Sequence, residues 1–426
     1  MNQSKVLYTA FGMVAATGGG KTRAISEALQ LRKYGIEPRI ACFVPCHVYV
    51  SLYRELSRRK ARMARDANCA VHYFPRIPGT RYPFLSWLND WLCALAVLVL
   101  CWRHGIGIVH GHSFRPTLFG LLARKLHRRL HVIGDIHGAA AAEYAYETGD
   151  ATDPGVLRRL EALEKYVFLN ADWLILVSAG MRDHYRKKLG ADFDNYTVIP
   201  SAVDRGFSRD PERRAALRSE YGVSGKTVFC YLGSAESYQL GKEMCELFTR
   251  FHALNPDTYL LVLSNDPAAF VRILQARGVS EDVYRAMSVP HDQVFDLVQM
   301  ADVGFLLRSD SPVNRVSSPT KFAEYCLCGV PVIITDYVGD FSGIVRGENI
   351  GWNLDLEGPP SNAELLEILQ GVSASRQEYA ERCQRYVQER LTWESHGHHL
   401  ASIHHRLEGR DLPAPREADL SAGSRS

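Results

Sequence analysis

Short apolar runs alternate with helix-patterned segments along almost the whole chain, and that alternation restricts the fold more than any other feature. In the first half the runs are K-V-L-Y-T-A-F, P-R-I-A-C-F-V, A-V-H-Y-F, I-G-I-V-H, L-H-V-I-G-D, W-L-I-L-V-S and Y-T-V-I-P. The second half repeats the pattern with T-V-F-C-Y-L-G, Y-L-L-V-L-S, D-V-G-F-L-L and V-P-V-I-I-T. Runs this apolar, without in-out alternation, suit strands buried on both faces of a parallel sheet covered by helices. At 426 residues the chain is long for one core and comfortable for two.

The polar stretch P-S-A-V-D-R-G-F-S-R-D-P-E-R-R divides the two sets. The expected organisation is a first Rossmann-like domain over 1–200, a connection over 201–226 with a short helix near Pro211 to Tyr221, and a second Rossmann-like domain over 227–390. A returning helix over 391–408 and a disordered tail over 409–426 complete it. Two doubly wound α/β domains facing across a cleft would bind ligands at the carboxyl ends of their strands. The charge is uneven: residues 1–200 hold 27 Lys and Arg against 16 Asp and Glu, and the rest hold 23 against 31. A basic half points to an anionic surface or substrate. Ten scattered cysteines without a C-x-x-C fit a reducing cytoplasm, and no secretory signal opens the sequence. The most apolar stretch, Trp91 to Trp102, is short of the roughly 20 residues a membrane span needs and reads as a buried helix, with a monotopic membrane contact as the alternative.

A-T-G-G-G-K-T at 16–22 suggests a phosphate-binding P-loop. A P-loop needs a glycine five residues before the final G-K-[ST] glycine, and Ala15 stands there. What remains is a strand, a glycine turn and a helix from about Lys21 to Tyr34, whose N-terminus can face an anion.

The most informative stretch is R-V-S-S-P-T-K-F-A-E-Y-C-L-C-G-V-P-V-I-I-T-D, Arg315 to Asp336. It reads as a loop, a helix starting at Pro319 with Ser318 as its N-cap, a glycine stop and a buried strand. Lys321 and Glu324 share one helix face, which by itself describes a surface ion pair. This stretch resembles the donor-sugar motif of GT-B glycosyltransferases of family 4, with its S-P-x-K-x-x-E-Y followed by G-x-P-V-I. The glycine loop with Y-G-I-E-P-R-I, I-V-H-G-H-S, D-I-H-G, A-D-W-L-I-L-V-S-A-G-M with V-I-P-S-A-V-D, F-C-Y-L-G-S, A-D-V-G-F-L-L and L-T-W-E-S-H-G-H-H-L-A-S-I resemble further family stretches in the same order. The resemblance spans roughly residues 5–407.

The resemblance implies a GT-B fold and a retaining hexosyltransferase that moves a sugar from a nucleoside diphosphate, UDP favoured over GDP, to a glycan or lipid-linked acceptor. It implies that Glu324 accepts ribose hydroxyls, that Gly233 and Ser234 underlie the diphosphate, and that Ser318 and Lys321 add a hydroxyl and a cation. Val289, Pro290 and His291 would hold the base, Gly18 and Gly19 would close on the sugar phosphate, and His137 would face the reacting sugar. No metal or other cofactor is expected. Two departures stand out: Val316 occupies the position of the family's usual second glutamate, and the K-G pair is reversed as Gly241-Lys242, which puts Lys242 in question.

His110 and His112 read as structural, and His396, His398, His399, His404 and His405 as a solvated helix face. The basic run Arg54 to Arg65 and the cations of Arg124 to His131 lack the interleaved aromatics of a nucleic-acid surface. They fit an anionic inner membrane face, met through Arg58, Arg59 and Arg62, which would make the enzyme cytoplasmic and peripheral. The rival readings are a non-catalytic sugar-nucleotide-binding module, which Val316 favours, and a P-loop NTPase.

Overall fold

The computed structural model describes residues 4–12, 19–51, 53–77, 83–356 and 358–411. The loop carrying Gly18 and the tail from residue 412 lie outside them. The chain divides into two compact units. The first holds residues up to Val177, Arg182–Pro200 and everything from Trp393; the second holds Ser178–Met181 and Ser201–Thr392.

The first unit is built on seven parallel strands: β1 (Ser4–Phe11), β2 (Ile36–Pro45), β3 (Ala70–Arg76), β4 (Ile108–His112), β5 (His131–Ile136), β6 (Trp173–Leu176) and β7 (Tyr196–Val198). Their order is β3-β2-β1-β4-β5-β6-β7, a doubly wound sheet that reverses direction between β1 and β4. The second unit has six parallel strands: β8 (Thr227–Leu232), β9 (Thr258–Leu263), β10 (Tyr284–Met287), β11 (Val303–Leu306), β12 (Val332–Thr335) and β13 (Gly351–Leu354). Their order is β10-β9-β8-β11-β12-β13, with the reversal between β8 and β11. β9, β11 and β12 are buried at every residue, which is why their sequences are apolar throughout.

Residues 201–226 are counted within the second unit and contain the helix Pro211–Glu220. Asp210 caps it, and its Arg214 and Arg218 both pair with the buried Asp302 just before β11. The helix Trp393–Leu407 belongs to the first unit and packs on Gly19–Lys33. The two approach closely enough that a Cβ on Gly397 would lie 3.1 Å from Gln30 Oε1. The five-histidine face on this helix is therefore not solvated as expected. His396, His404 and His405 are buried, and only His398 and His399 are exposed. Burial holds the His404 imidazole down at about 3, so it is neutral.

Trp91 to Trp102 is the middle of a longer helix, Pro83–His104, and the expectation of a buried helix fails on one side. Cys93, Ala94, Val97, Leu100 and Cys101 are buried, whereas Leu92, Leu95, Val99 and Trp102 are exposed. From Phe84 to His104 the helix is long and apolar enough to cross a bilayer by length and composition. Asn89 and Asp90 interrupt the apolar run in the sequence, yet both lie on the buried side of the helix.

Candidate functional site

In the second unit, Gly233, Ser234 and Lys321 of the implied donor residues meet at the carboxyl end of β8, beside β11, where the sheet reverses and ligands bind in this architecture. Gly233 follows β8, and a Cβ there would lie 2.8 Å from Lys321 Nζ and 2.5 Å from Gln239 Oε1. Only glycine leaves room for the ammonium against this turn. Lys321 donates to Gln239 Oε1, and Gln239 in turn donates to Ser234 Oγ. Lys321 therefore bonds to the β8 turn, and its partner is not the surface ion pair of the helix-face reading. The N–H of Gly233 extends the β8–β9 ladder by donating to Leu263 O at 3.0 Å, so it is committed to the sheet and not free for an anion.

The helix Thr320–Leu327 carries Lys321 and Glu324 toward this turn because Tyr325 anchors it. The Tyr325 hydroxyl receives Leu232 N–H at 2.7 Å and donates to Cys230 O at 3.1 Å. Its ring lies where a Cβ on Gly304 would be, within 2.6 Å. The helix begins at Thr320, with Pro319 at the N-cap position and no side-chain cap. Ser318 is not the cap: its hydroxyl accepts Ser201 N–H at 2.9 Å, a contact that fixes the preceding loop. Val316 is buried, so the usual second-glutamate position is here part of the core. Lys242 is exposed in the first turn of the helix Gly241–Leu254, and His291 opens the helix His291–Val298 after β10.

Arg308, just past β11, was not anticipated. Its side chain is buried, donates to Leu307 O at 2.9 Å and lies over the Tyr238 ring. Burial pulls its guanidinium below the usual range, and the phenols of Tyr231, Tyr238 and Tyr325 lie around it. Burial, with Arg308 nearby and Glu324 opposing, takes Lys321 down to about 7. Two desolvated cations beside one glycine turn form a site that favours an anion. One signal was legible: D-V-G-F-L-L ends on arginine, a charge placed at the carboxyl end of a buried strand.

The first unit gathers a different cluster at the ends of β4 and β5. Arg23 donates to both oxygens of Asp135 at 2.9 Å, pairs with Glu27 at 3.0 Å and also reaches Ile199 O. Trp393 covers its guanidinium at 5.2 Å. His110 stacks between Tyr8 and His112, at 4.6 and 5.2 Å between ring centroids. Burial disfavours the Asp135 charge, yet Arg23 and the bonds from His110 and His137 hold it well below the usual carboxylate range. Glu27 is pushed well above that range by burial and by Asp135. Burial lowers His110 and His112, so both imidazoles are neutral.

Glu27, His110, His112 and Asp135 each offer a donor atom within 4.8 Å of the others. Arg23 balances the Asp135 charge, and burial pushes Glu27 toward its neutral form, so the cluster is balanced from within. His137 is the member at its open edge. Its Nε2 lies 3.0 Å from Asp135 Oδ2 and 3.3 Å from His112 Nδ1, with 28% of the side chain exposed. A second carboxylate was missed: Glu143 Oε1 occupies the space beside Gly138 in D-I-H-G, and burial raises its pKa while His137 opposes. Gly19 opens the helix Gly19–Lys33 that carries Arg23 and Glu27.

Residues 18–202 match the glycosyl transferase 4-like domain, and residues 213–390 match the glycosyl transferases group 1. The chain belongs to the GT4-like glycosyltransferases of the GT-B fold. A GDP-mannose-dependent α-(1-6)-phosphatidylinositol monomannoside mannosyltransferase of Mycolicibacterium smegmatis is 23% identical to it over 258 residues. That match covers 59% of this chain and 64% of the mannosyltransferase. Sucrose-phosphate synthase from Thermosynechococcus elongatus shares the fold with a TM-score of 0.70 at 16% identity, over 96% of this glycosyltransferase and all of that chain. Anabaena HepE in complex with UDP superposes with a TM-score of 0.67 at 14% identity, covering 95% and 98% of the two chains.

Proposed function

We propose that this glycosyltransferase transfers a sugar, with retention, from a nucleoside diphosphate sugar to a glycan or lipid-linked acceptor at the cytoplasmic face of a membrane. The observation that carries the donor reading is the pairing of Lys321 with Arg308 around the Gly233 turn at the β8/β11 reversal. Both cations answer the diphosphate, and Glu324, one helical turn from Lys321, accepts the ribose hydroxyls. A UDP-sugar is the favoured donor, and the complex of HepE with UDP supports that choice. The mannosyltransferase relative makes a GDP-sugar the alternative.

Catalysis then rests on positioning and charge. The two cations stabilise the departing diphosphate, whose oxygen takes the acceptor proton, and no metal is required. His137 positions the reacting sugar, with Asp135 fixing its ring through Nε2. The buried Val316 favours a second reading, a module that binds a sugar nucleotide without turnover. A panel of UDP- and GDP-sugars, scored for nucleotide release and followed by calorimetric titration, separates the two. Donor-specific release supports transfer. Binding without release supports the module, and no binding of any nucleotide removes both.

A further inference from the structure

The helix Pro83–His104 is turned inside out relative to an ordinary surface helix. Its polar residues Asn89 and Asp90 point into the protein, where Asn89 Oδ1 accepts Ile77 N–H and Asp90 pairs with Arg115. Its outward ridge is apolar: Phe84, Leu88, Leu92, Leu95, Val99 and Trp102 follow one another at three- or four-residue steps, with Trp87 alongside. Trp102 is 82% exposed and Phe84 67%. The nineteen residues from Phe84 to Trp102 make this ridge about 27 Å long. A continuous large-apolar stripe of that length on a folded domain marks a binding surface.

Charge identifies the occupant. All seven strands are parallel, so the crossover helices Pro83–His104 and Phe114–Leu126 run in the same direction, and Arg115 reaches Ser86 and Asp90 where both begin. Trp102 therefore shares its end of the unit with exposed Arg103, Lys125, Arg128 and Arg129. A hollow of about 450 Å³ opens at the end of Phe114–Leu126, lined by Lys125, Arg128 and His131 and by Arg124, which is paired with Asp172 in the same wall. Aliphatic ridge, tryptophans and a cationic end match the layers of an anionic bilayer surface: acyl chains, interface and headgroups.

We propose that the outward ridge of Pro83–His104 docks this protein, lying flat, on an anionic lipid bilayer. The helix does not span the bilayer, because its inner face packs on the sheet through Leu7, Phe43 and Val109 and on the helix Phe114–Leu126 through Phe119. The helix Tyr53–Asp66, bearing Arg58, Arg59 and Arg62, is a β2–β3 crossover, whereas Pro83–His104 crosses back from β3 to β4. Right-handed crossovers put these two helices on opposite faces of the sheet, so the cation run most evident in the sequence is not on the docking face.

The test is co-sedimentation of the full chain with phosphatidylcholine vesicles with and without phosphatidylglycerol. Combined Trp87→Ser, Leu95→Ser, Val99→Ser and Trp102→Ser should lower partitioning by more than about tenfold. Arg128→Glu and Arg129→Glu should each cost roughly fivefold or more on phosphatidylglycerol vesicles only, and added salt should act in the same sense. Arg58→Glu, Arg59→Glu and Arg62→Glu together should leave binding as it was. Circular dichroism and a cooperative thermal melt check that each variant is folded, so the outcome does not depend on the donor reading, and the ridge is argued without reference to sugar chemistry. The proposal falls if the four-serine variant sediments like the parent or if the Arg58, Arg59 and Arg62 reversals abolish binding. It also falls if light scattering shows a parental dimer that the serines dissociate while neither protein binds vesicles, which would make the ridge an interface between copies.

Discussion

In the first unit the buried guanidinium of Arg23 is ringed by Asp135, Glu27 and two main-chain carbonyls. In the second, that of Arg308 has one carbonyl, three tyrosines and the Lys321 ammonium nearby, with Glu324 opposing the charge at Lys321 and no carboxylate bonded to the guanidinium among the described contacts. Both sit at strand ends next to a sheet reversal, and burial alone does not tell them apart. The counter-charge does. An arginine whose carboxylates come from its own chain holds the fold together, and losing either partner leaves a charge stranded. An arginine and a lysine buried side by side among phenols raise the energy of the empty state, which a bound diphosphate relieves.

The sharpest way to break this distinction is to remove each cation and ask what is lost. Arg23→Ala should cost stability on the scale of a broken buried ion pair, about 3–5 kcal/mol, read by chemical denaturation. UDP or GDP affinity of the folded fraction should stay unchanged. A variant as stable as the parent would show that Arg23 is not structural. His137→Ala, at the edge of the same cluster, should instead lower turnover by about a hundredfold or more with nucleotide affinity intact, because His137 belongs to the open side of the network. Near-parental turnover would return it to the structural set.

Lys321→Ala and Arg308→Ala should each weaken nucleoside diphosphate binding by about 1.5–3 kcal/mol while sparing the bare nucleoside. Thermal stability should hold or rise, since a desolvated charge has been removed. Glu324→Ala should weaken nucleoside and nucleotide alike. If Lys321→Ala binds UDP and GDP as the parent does, the donor site lies elsewhere. The smallest expected effect is on pH. Lys321 titrates at about 7 in the free protein, and a bound diphosphate favours its charged form. Above pH 7, binding must therefore take up a proton, and affinity should fall as pH rises, by at most about tenfold per unit. Titrations at pH 6.5 and 8.5 in buffers of different ionisation enthalpy would reveal that uptake, and Lys321→Ala should abolish it.

The α/β architecture was legible because strands buried in a parallel sheet are mostly apolar, and the runs in the sequence fall on every strand except β10 and β13, the partly buried edges of the second sheet. Gly233, Ser234 and Lys321 were legible through a contiguous motif, and the structure brings them together with Gln239. Arg308 and Glu143 were not, because each is a single charge whose meaning depends on which strands become neighbours. Ser318 was misread since the same serine can cap a helix or hold a loop, and only the position of Ser201 decides. Pro83–His104 was misread for a different reason. A helix apolar almost all round has no periodicity from which to choose its inner face, and here two polar residues marked the inside.

The helix Trp393–Leu407 completes the first unit from the far end of the chain, covering Arg23 with Trp393 and packing Gly397 on Gln30. On the ribosome, then, the half that is made first is finished last. Until residue 407 has emerged, the Gly19–Lys33 helix carries its charge cluster with Arg23 and Gln30 uncovered, while the second unit already has all its residues through Thr392. Nascent chains arrested before Trp393 should be those that recruit chaperones, and a fragment ending at residue 200 should be soluble only when this helix is supplied with it.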